Sequence, residues 1–131
     1  MVDWIAKLNA PDEPGFKQRV VQKTGRKRSV FLPTARMVGD YARALAPGQK
    51  SDAAAMKKRF ADEHNADLTC PVTTRLHLQT VAEAALEMHA QGAGLGDITP
   101  FWRAMDENDP VAKRLSCGVD FIARLRAEDG L

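Results

Sequence analysis

Residues 53–89 of this 131-residue chain, AAAMKKRFADEHNADLTCPVTTRLHLQTVAEAALEMH, decide its fold. Apolar residues recur at helical spacing in two parts of the stretch, which predicts a helix over residues 53–64 and a longer one over residues 73–89. Two helices joined by so short a connector are typical of a helix-turn-helix unit. The apolar positions of the longer helix form two adjacent stripes: Leu76, Thr80, Ala84 and Met88, and beside them Leu78, Val81 and Ala85.

Weaker elements flank this unit. Pro11, Pro14 and Gly15 predict a loosely structured lead-in over residues 1–15. Short β-prone segments on either side of Gly25 predict a β-hairpin over residues 16–32. We therefore expect one α+β domain over residues 1–131, mainly helical and winged-helix-like. Its other expected elements are a helix over residues 35–45, an extended piece over residues 98–105, and a last helix over residues 120–128 with Phe121, Ile122 and Leu125 facing inward.

Composition excludes several classes of protein. Hydrophobic residues make up 44% of the chain and charged residues 27%, a balance typical of a single globular domain. No apolar run is long enough to cross a membrane, so we expect no membrane association. The first residues carry charges around Trp4 and lack the apolar core of a signal peptide. With only two cysteines and no export signal, the expected location is the cytoplasm.

The charge is unevenly distributed. Residues 1–65 hold 13 Lys and Arg against 7 Asp and Glu, whereas residues 66–131 hold 6 against 10. A basic half favours an anionic partner such as nucleic acid. A solvated turn that needs charge for solubility explains the same pattern equally well. The sharpest cluster lies at the tip of the expected hairpin and supplies the candidate phosphate contacts Lys23, Arg26, Lys27 and Arg28.

The start of the longer helix is the candidate site for double-stranded DNA. In a helix-turn-helix unit, the N-terminal residues of the second helix commonly face the bases in the major groove. Thr73, Thr74, Arg75 and His77 occupy these positions, and Gln79 follows a turn later. Hydroxyl groups and helix-start amides suit phosphate oxygens, and an arginine can bind a guanine through two hydrogen bonds. The predicted contacts are Thr73, Thr74, Arg75 and Gln79.

A second candidate is the aromatic segment of residues 99–105, TPFWRAM. Phe101 and Trp102 are adjacent in a chain with few aromatic residues, and Arg103 follows them. One interpretation is a pocket wall on which an extruded base stacks. The other is that both rings anchor the core while Arg103 binds buried carbonyl groups. The sequence does not decide between these two interpretations.

Catalytic and metal-binding patterns are weak. The three histidines and two cysteines do not have the spacing of a zinc site, and no phosphate-binding glycine loop is present, so no metal or cofactor is expected. Cys70 lies at the start of a predicted helix, where the dipole favours the thiolate. A small buried thiol is the commoner role for such a residue. Cys117 leaves the same two alternatives open.

Several of these motifs together resemble the DNA-binding domain of the O6-alkylguanine-DNA alkyltransferases and their alkyltransferase-like relatives. More closely, the chain resembles an uncharacterised bacterial branch related to them. The resemblance covers roughly residues 37–130. The matching segments are Ala46-Pro47-Gly48 at a helix end, the two helices of the helix-turn-helix, Cys70-Pro71-Val72-Thr73-Thr74, Thr99-Pro100-Phe101-Trp102-Arg103, Ser116-Cys117-Gly118, and the closing helix.

The departures from the family pattern concern its chemistry. The reactive motif of the family is Pro-Cys-His-Arg, and here Phe101 replaces its cysteine and Trp102 its histidine. A phenyl ring cannot accept an alkyl group, so the resemblance implies a non-catalytic DNA-binding protein related to DNA repair. It places Phe101, Trp102, Arg103 and Cys117 around the former reactive pocket. The alternatives are a thiol enzyme that uses Cys70 or Cys117, and a protein-interaction scaffold that has lost DNA binding.

Overall fold

The computed structural model describes residues 2–20 and 27–131. Over these ranges the chain forms an α+β domain that is mainly helical, as the sequence predicts, with five α-helices and a small sheet of three strands. Short 3-10 turns connect the C-terminal elements. The elements are α1 (Trp4–Asn9), β1 (Gly15–Val20), β2 (Lys27–Leu32), α2 (Ala35–Arg43), α3 (Ala53–Glu63), β3 (Leu68–Thr69), α4 (Pro71–Ala90) and α5 (Val119–Glu128).

The sheet has the strand order β1-β2-β3. β1 and β2 pair antiparallel, with Phe16 opposite Phe31, so both arms of the predicted hairpin are present. Residues 21–26, which join them, lie outside the described residues. β3 pairs parallel with β2, with Val30 opposite Leu68, and lies within the connector between α3 and α4. The sequence did not predict this strand.

Helix α3 packs against one face of the sheet around Phe31. The Phe31 ring is fully buried and stacks on the His64 imidazole, with ring centroids 4.0 Å apart. The Phe60 ring lies on the same side, at 6.3 Å. The Thr69 hydroxyl donates a hydrogen bond to the Lys57 carbonyl oxygen at 2.7 Å, which ties β3 to α3. These contacts fix the direction in which the chain enters α4.

The helix boundaries follow local signals. The Asp52 carboxylate accepts a hydrogen bond from the Ala55 N–H at 2.7 Å, so Asp52 is the N-cap of α3. Asn65 takes a positive φ of 54° one residue after the cap, as asparagine often does after a helix. The Thr34 hydroxyl caps α2 in the same way by accepting from the Met37 N–H.

Helix α4 is the longest element, and α1, α2 and α3 all contact it. Pro71 begins it, at a position where a missing N–H leaves no hydrogen bond unmade. Its core-facing side carries Leu78 and Val81, both essentially fully buried. The predicted core position of Leu76 is wrong: this residue is 54% exposed, because the part of the chain that the structure describes leaves that side of the first turns uncovered. The remaining buried apolar positions of the helix are Ala82, Ala84 and Ala85.

The prediction of a loosely structured lead-in is wrong for residues 4–9. These residues form α1, whose N-cap Asp3 accepts a hydrogen bond from the Ala6 N–H at 2.9 Å. The Trp4 N–H donates to the Glu87 carboxylate of α4 at 3.0 Å, so the segment is anchored to the longest helix. Pro11 and Pro14 interrupt regular structure only after α1 has ended.

In the C-terminal third, short 3-10 turns stand where the sequence predicts an extended piece. The expected extended piece over residues 98–105 contains a 3-10 turn, Phe101–Arg103, because the Ala104 N–H bonds back to the Phe101 carbonyl at 3.0 Å. α5 buries Ile122 and Leu125 as predicted, whereas Phe121 is only half-buried. Among the described residues, no helix combines the length and the apolar character needed to cross a membrane.

Candidate nucleic-acid interface

The start of α4 is organised around Cys70, its N-cap residue. The Thr73 hydroxyl donates to the Cys70 sulfur at 3.3 Å, and the Thr74 hydroxyl donates to the Cys70 carbonyl at 2.8 Å. Thr74 is fully buried, so its predicted role in the DNA groove is wrong. Its hydroxyl instead satisfies a buried backbone carbonyl, which a threonine in a helix often does.

The first two turns of α4 leave one face uncovered. Arg75 is exposed, and Gln79, four positions further along, is partly exposed. On the same side lie two exposed apolar side chains, Val72 at 61% and Leu76 at 54%. Counted from Val72, the other three side chains follow after three, four and seven residues, so all four lie in one continuous stripe along the helix. No element of the described chain packs against this stripe, which makes it the accessible part of the helix.

Arg75 has no ion-pair partner among the described residues, unlike the arginines of α3 and the C-terminal region. Thr73 is partly exposed beside it. His77, which the sequence placed in the same group, lies on another side of α4 and lines a cavity beneath the N-terminal segment. Of the predicted recognition residues, the structure therefore brings Thr73, Arg75 and Gln79 together at the surface.

Two lysines flank the start of α4. Lys17 on β1 is exposed and close enough to Cys70 for its charge to influence that thiol. Lys57 on α3 lines a shallow depression together with Pro71, the first residue of α4. Neither lysine was predicted as a DNA contact. Only the packing of β1 and α3 beside the start of α4 brings these two lysines to the site, and the sequence contains no local signal for it.

The predicted basic cluster is only partly described. Lys23 and Arg26 lie outside the described residues, while Lys27 and Arg28 begin β2 and are exposed. β2 and β3 run parallel, and the pairing register sets Lys27 five residues before the level of Cys70. At a rise of roughly 3.3 Å per residue, Lys27 lies about 17 Å from the start of α4 along the strand direction.

The aromatic segment belongs to the core. Phe101 is fully buried and Trp102 is 5% exposed, and the two rings pack edge to face with centroids 5.3 Å apart. The Arg103 guanidinium donates to the Asp129 carboxylate at 2.6 and 3.0 Å and to the Leu45 carbonyl at 2.8 Å. The Trp102 indole N–H donates to the same carboxylate at 3.3 Å.

Asp129, which the sequence did not single out, therefore links the aromatic segment to the end of α5. The hydrogen bond from Arg103 holds the pKa of the Asp129 carboxyl below its usual range. The Arg126 guanidinium strengthens the same junction by donating to the Trp102 and Met105 carbonyls at 2.6 and 2.8 Å. The interpretation of this segment as a core anchor agrees with these contacts.

The predicted pocket around this segment is partly present. Trp102 and Arg103 line a cavity of about 370 Å³ that also borders Arg43 and Met88. Phe101 is fully buried, and neither it nor Cys117 lines this cavity. Ala85 of α4 also borders the cavity, ten positions after Arg75. At a rise of about 1.5 Å per residue, the cavity and Arg75 are roughly 15 Å apart along the helix.

The two cysteines differ in environment and are far apart. Burial raises the pKa of the Cys70 thiol, but hydrogen bonds from Thr73 and the charge of Lys17 lower it, and the net pKa lies below that of an ordinary thiol. Burial and then the Glu83 carboxylate raise the pKa of the Cys117 thiol. Glu83, whose charge influences Cys117, is thirteen positions after Cys70 on α4, so the two cysteines lie at levels of the helix roughly 20 Å apart. They cannot form a disulfide with each other.

Within the ranges 2–20 and 27–131, no group of three or more His, Cys, Asp and Glu side chains is arranged to hold a metal ion. No protein-family model matches the chain, and comparison with curated proteins and with solved structures finds no match.

Proposed function

We propose that this protein binds double-stranded DNA, with α4 as the recognition helix of a helix-turn-helix-like unit and β1–β2 as its wing. The observation that carries the proposal is the uncovered stripe Val72, Arg75, Leu76 and Gln79 on the first two turns of α4. A helix of this kind fits the major groove, and its N-terminal residues face the bases.

The side chains of the stripe suit base edges. The Arg75 guanidinium can donate two hydrogen bonds to a guanine, and the Gln79 amide can do the same for an adenine. Val72 and Leu76 offer apolar contact to thymine methyl groups, which explains why such side chains remain exposed at this place. The partly exposed Thr73 hydroxyl donates to the Cys70 sulfur in the free protein and can turn from it to a phosphate oxygen.

Phosphate contacts come from the cations around the stripe. Lys17 and Lys57 flank the start of α4, and Lys27 and Arg28 extend the basic surface along β2. None of these four side chains forms a salt bridge with another described residue. Cations without a carboxylate partner are free to replace the counterions of a duplex, which makes binding salt-dependent.

The resemblance to the alkyltransferases supports a non-catalytic role. Phe101 stands where the family has its nucleophile, and its ring is fully buried, so it offers no reactive group to a base. An alkylated or extruded base is the target that the resemblance suggests, with the cavity beside Trp102 as its candidate place. Roughly 15 Å separates this cavity from Arg75 along α4, so recognition of the intact duplex is the primary proposal.

The test is a fluorescence anisotropy titration of a labelled duplex of about 20 base pairs, repeated from about 50 to 200 mM salt. We expect the logarithm of the affinity to fall linearly and steeply with the logarithm of the salt concentration, because several phosphates are contacted. A matched duplex that contains O6-methylguanine measures any preference for the lesion. Absence of binding to either duplex at about 50 mM salt overturns the proposal.

A second candidate is protein docking through the same face, and the exposure of Val72 and Leu76 favours it. Large exposed apolar side chains that lie together often mark a protein contact. A second copy of the chain is the simplest partner to test by sedimentation. Self-association that the Leu76→Gln variant abolishes, in a chain that does not bind DNA, would favour the scaffold role over the DNA-binding role.

A further inference from the structure

A cavity of about 630 Å³ lies beneath the N-terminal segment, away from the uncovered stripe. Its walls come from three separate parts of the chain: α1 and the residues that follow it, the first turns of α2, and the middle of α4. The volume falls in the range of small-molecule sites, roughly 300–1,000 Å³. Such sites are concave and carry a few polar groups that converge on the ligand.

Two cationic side chains line the cavity. Lys7 lines it from α1, with its ammonium group over the Trp4 ring at 5.0 Å, and Arg36 lines it from α2. Both side chains are exposed, and neither forms an ion pair with any residue that the structure describes. The nearby carboxylate of Asp40 is already bound by Arg43. Two cationic side chains from different helices favour an anionic ligand.

The α4 wall contributes a neutral hydrogen-bonding group. Burial lowers the pKa of His77, which favours the neutral imidazole, and the nearby backbone of Pro33 acts in the opposite direction. Lys7 and Asp12 are the charged groups that influence it. A neutral imidazole has one donor and one acceptor nitrogen. An imidazole that lines the cavity can therefore bind a hydroxyl group of a ligand.

We propose that this cavity binds a small organic anion that carries hydroxyl groups, with its phosphate or carboxylate on Arg36 and Lys7 and a hydroxyl on His77. Sugar phosphates and sugar acids are the chemical class that combines these groups. Asp12, in the segment that follows α1, also lines the cavity and is a further acceptor for hydroxyl groups. The dipole of α2, whose first turn borders the cavity, adds to the preference for an anion.

The test is a two-dimensional amide NMR titration of the whole chain with four probes at millimolar concentration: glucose 6-phosphate, gluconate, inorganic phosphate and glucose. We expect one or both hydroxylated anions to shift the amides of residues 35–37 and 77. We expect inorganic phosphate to bind more weakly and glucose to have no effect. A stronger response to the phosphate or to the carboxylate identifies which anionic group the site prefers.

Two variants locate the site. Arg36→Gln is expected to weaken binding by about tenfold or more, since hydrogen bonds to charged groups are among the strongest. Arg124→Gln, an exposed arginine on α5, is the matched control and should leave anion binding unchanged. The proposal is overturned if no anion shifts these amides, if glucose shifts them equally, or if Arg36→Gln binds like the parent. Because neither variant changes the uncovered stripe, this result is independent of the proposed DNA binding.

Discussion

Replacement of Trp102 by alanine tests whether the aromatic segment anchors the core. The indole is 5% exposed, packs on Phe101 and donates its N–H to Asp129. Truncation of a buried ring of this size costs about 3–5 kcal/mol. With an unfolding entropy of about 2.1 cal/mol/K per residue, the 131 residues give about 0.28 kcal/mol per kelvin. The expected fall in melting temperature is therefore about 11–18 °C.

Differential scanning calorimetry of the parent and three variants measures this effect. Trp102→Phe keeps an aromatic ring but loses the indole N–H, so we expect a smaller loss of about 1–2 kcal/mol. Arg75→Ala removes an exposed side chain and should cost less than about 0.5 kcal/mol. If Trp102→Ala melts within about 2 °C of Arg75→Ala, the ring is not a core anchor and the segment must be reinterpreted.

Three further predictions concern groups around this core. Asp129→Asn should cost about 2–3 kcal/mol at pH 7 in urea unfolding, because Arg103 loses its carboxylate. The pKa of Asp129 is lower in the folded protein than in the unfolded chain. The carboxylate therefore stabilises the fold fully above the unfolded pKa of about 3.9, and this contribution disappears as the pH falls through the folded pKa. The unfolding curves of the parent and of Asp129→Asn should accordingly converge in acid. In native protein at pH 7, iodoacetamide should leave Cys70 unmodified because its thiol is buried. It should label Cys117 slowly, because the pKa of this thiol is raised, and faster at alkaline pH. Rapid labelling of Cys70 in a mass spectrum would contradict this. Thr74→Ala should lower stability by about 1 kcal/mol and leave the DNA affinity of the folded protein unchanged, and a specific loss of affinity in the anisotropy assay would restore Thr74 to the interface.

The sequence predicted the elements that local signals define. Helices α3 and α4 follow from apolar periodicity, a capping Asp52 and the terminating Asn65, and the hairpin arms follow from β-prone segments around a glycine. β3 has only two residues and forms through pairing with β2, which leaves no local pattern to detect. The lead-in was misassigned because its prolines stand after the helix rather than within it.

The environment of single side chains depended on distant parts of the chain. Periodicity placed Leu76 on an apolar stripe, yet within residues 2–20 and 27–131 its side is left uncovered and the residue is 54% exposed. The sequence left two interpretations of Trp102 and Arg103 open. In the structure both side chains bind Asp129, which lies more than 25 residues further along the chain. The cavity that contains Lys7 and Arg36 is built from three segments and could not be inferred from any one of them.

The most direct test of the central claim compares Arg75→Ala with Arg124→Ala in the same DNA titration. Both arginines are exposed, but Arg124 lies on α5, with its guanidinium over the Phe121 ring and away from the uncovered stripe. If α4 is the recognition helix, Arg75→Ala should weaken DNA binding by about 1–3 kcal/mol while Arg124→Ala changes it little. Equal affinities for the two variants and the parent would show that the first turns of α4 do not contact DNA.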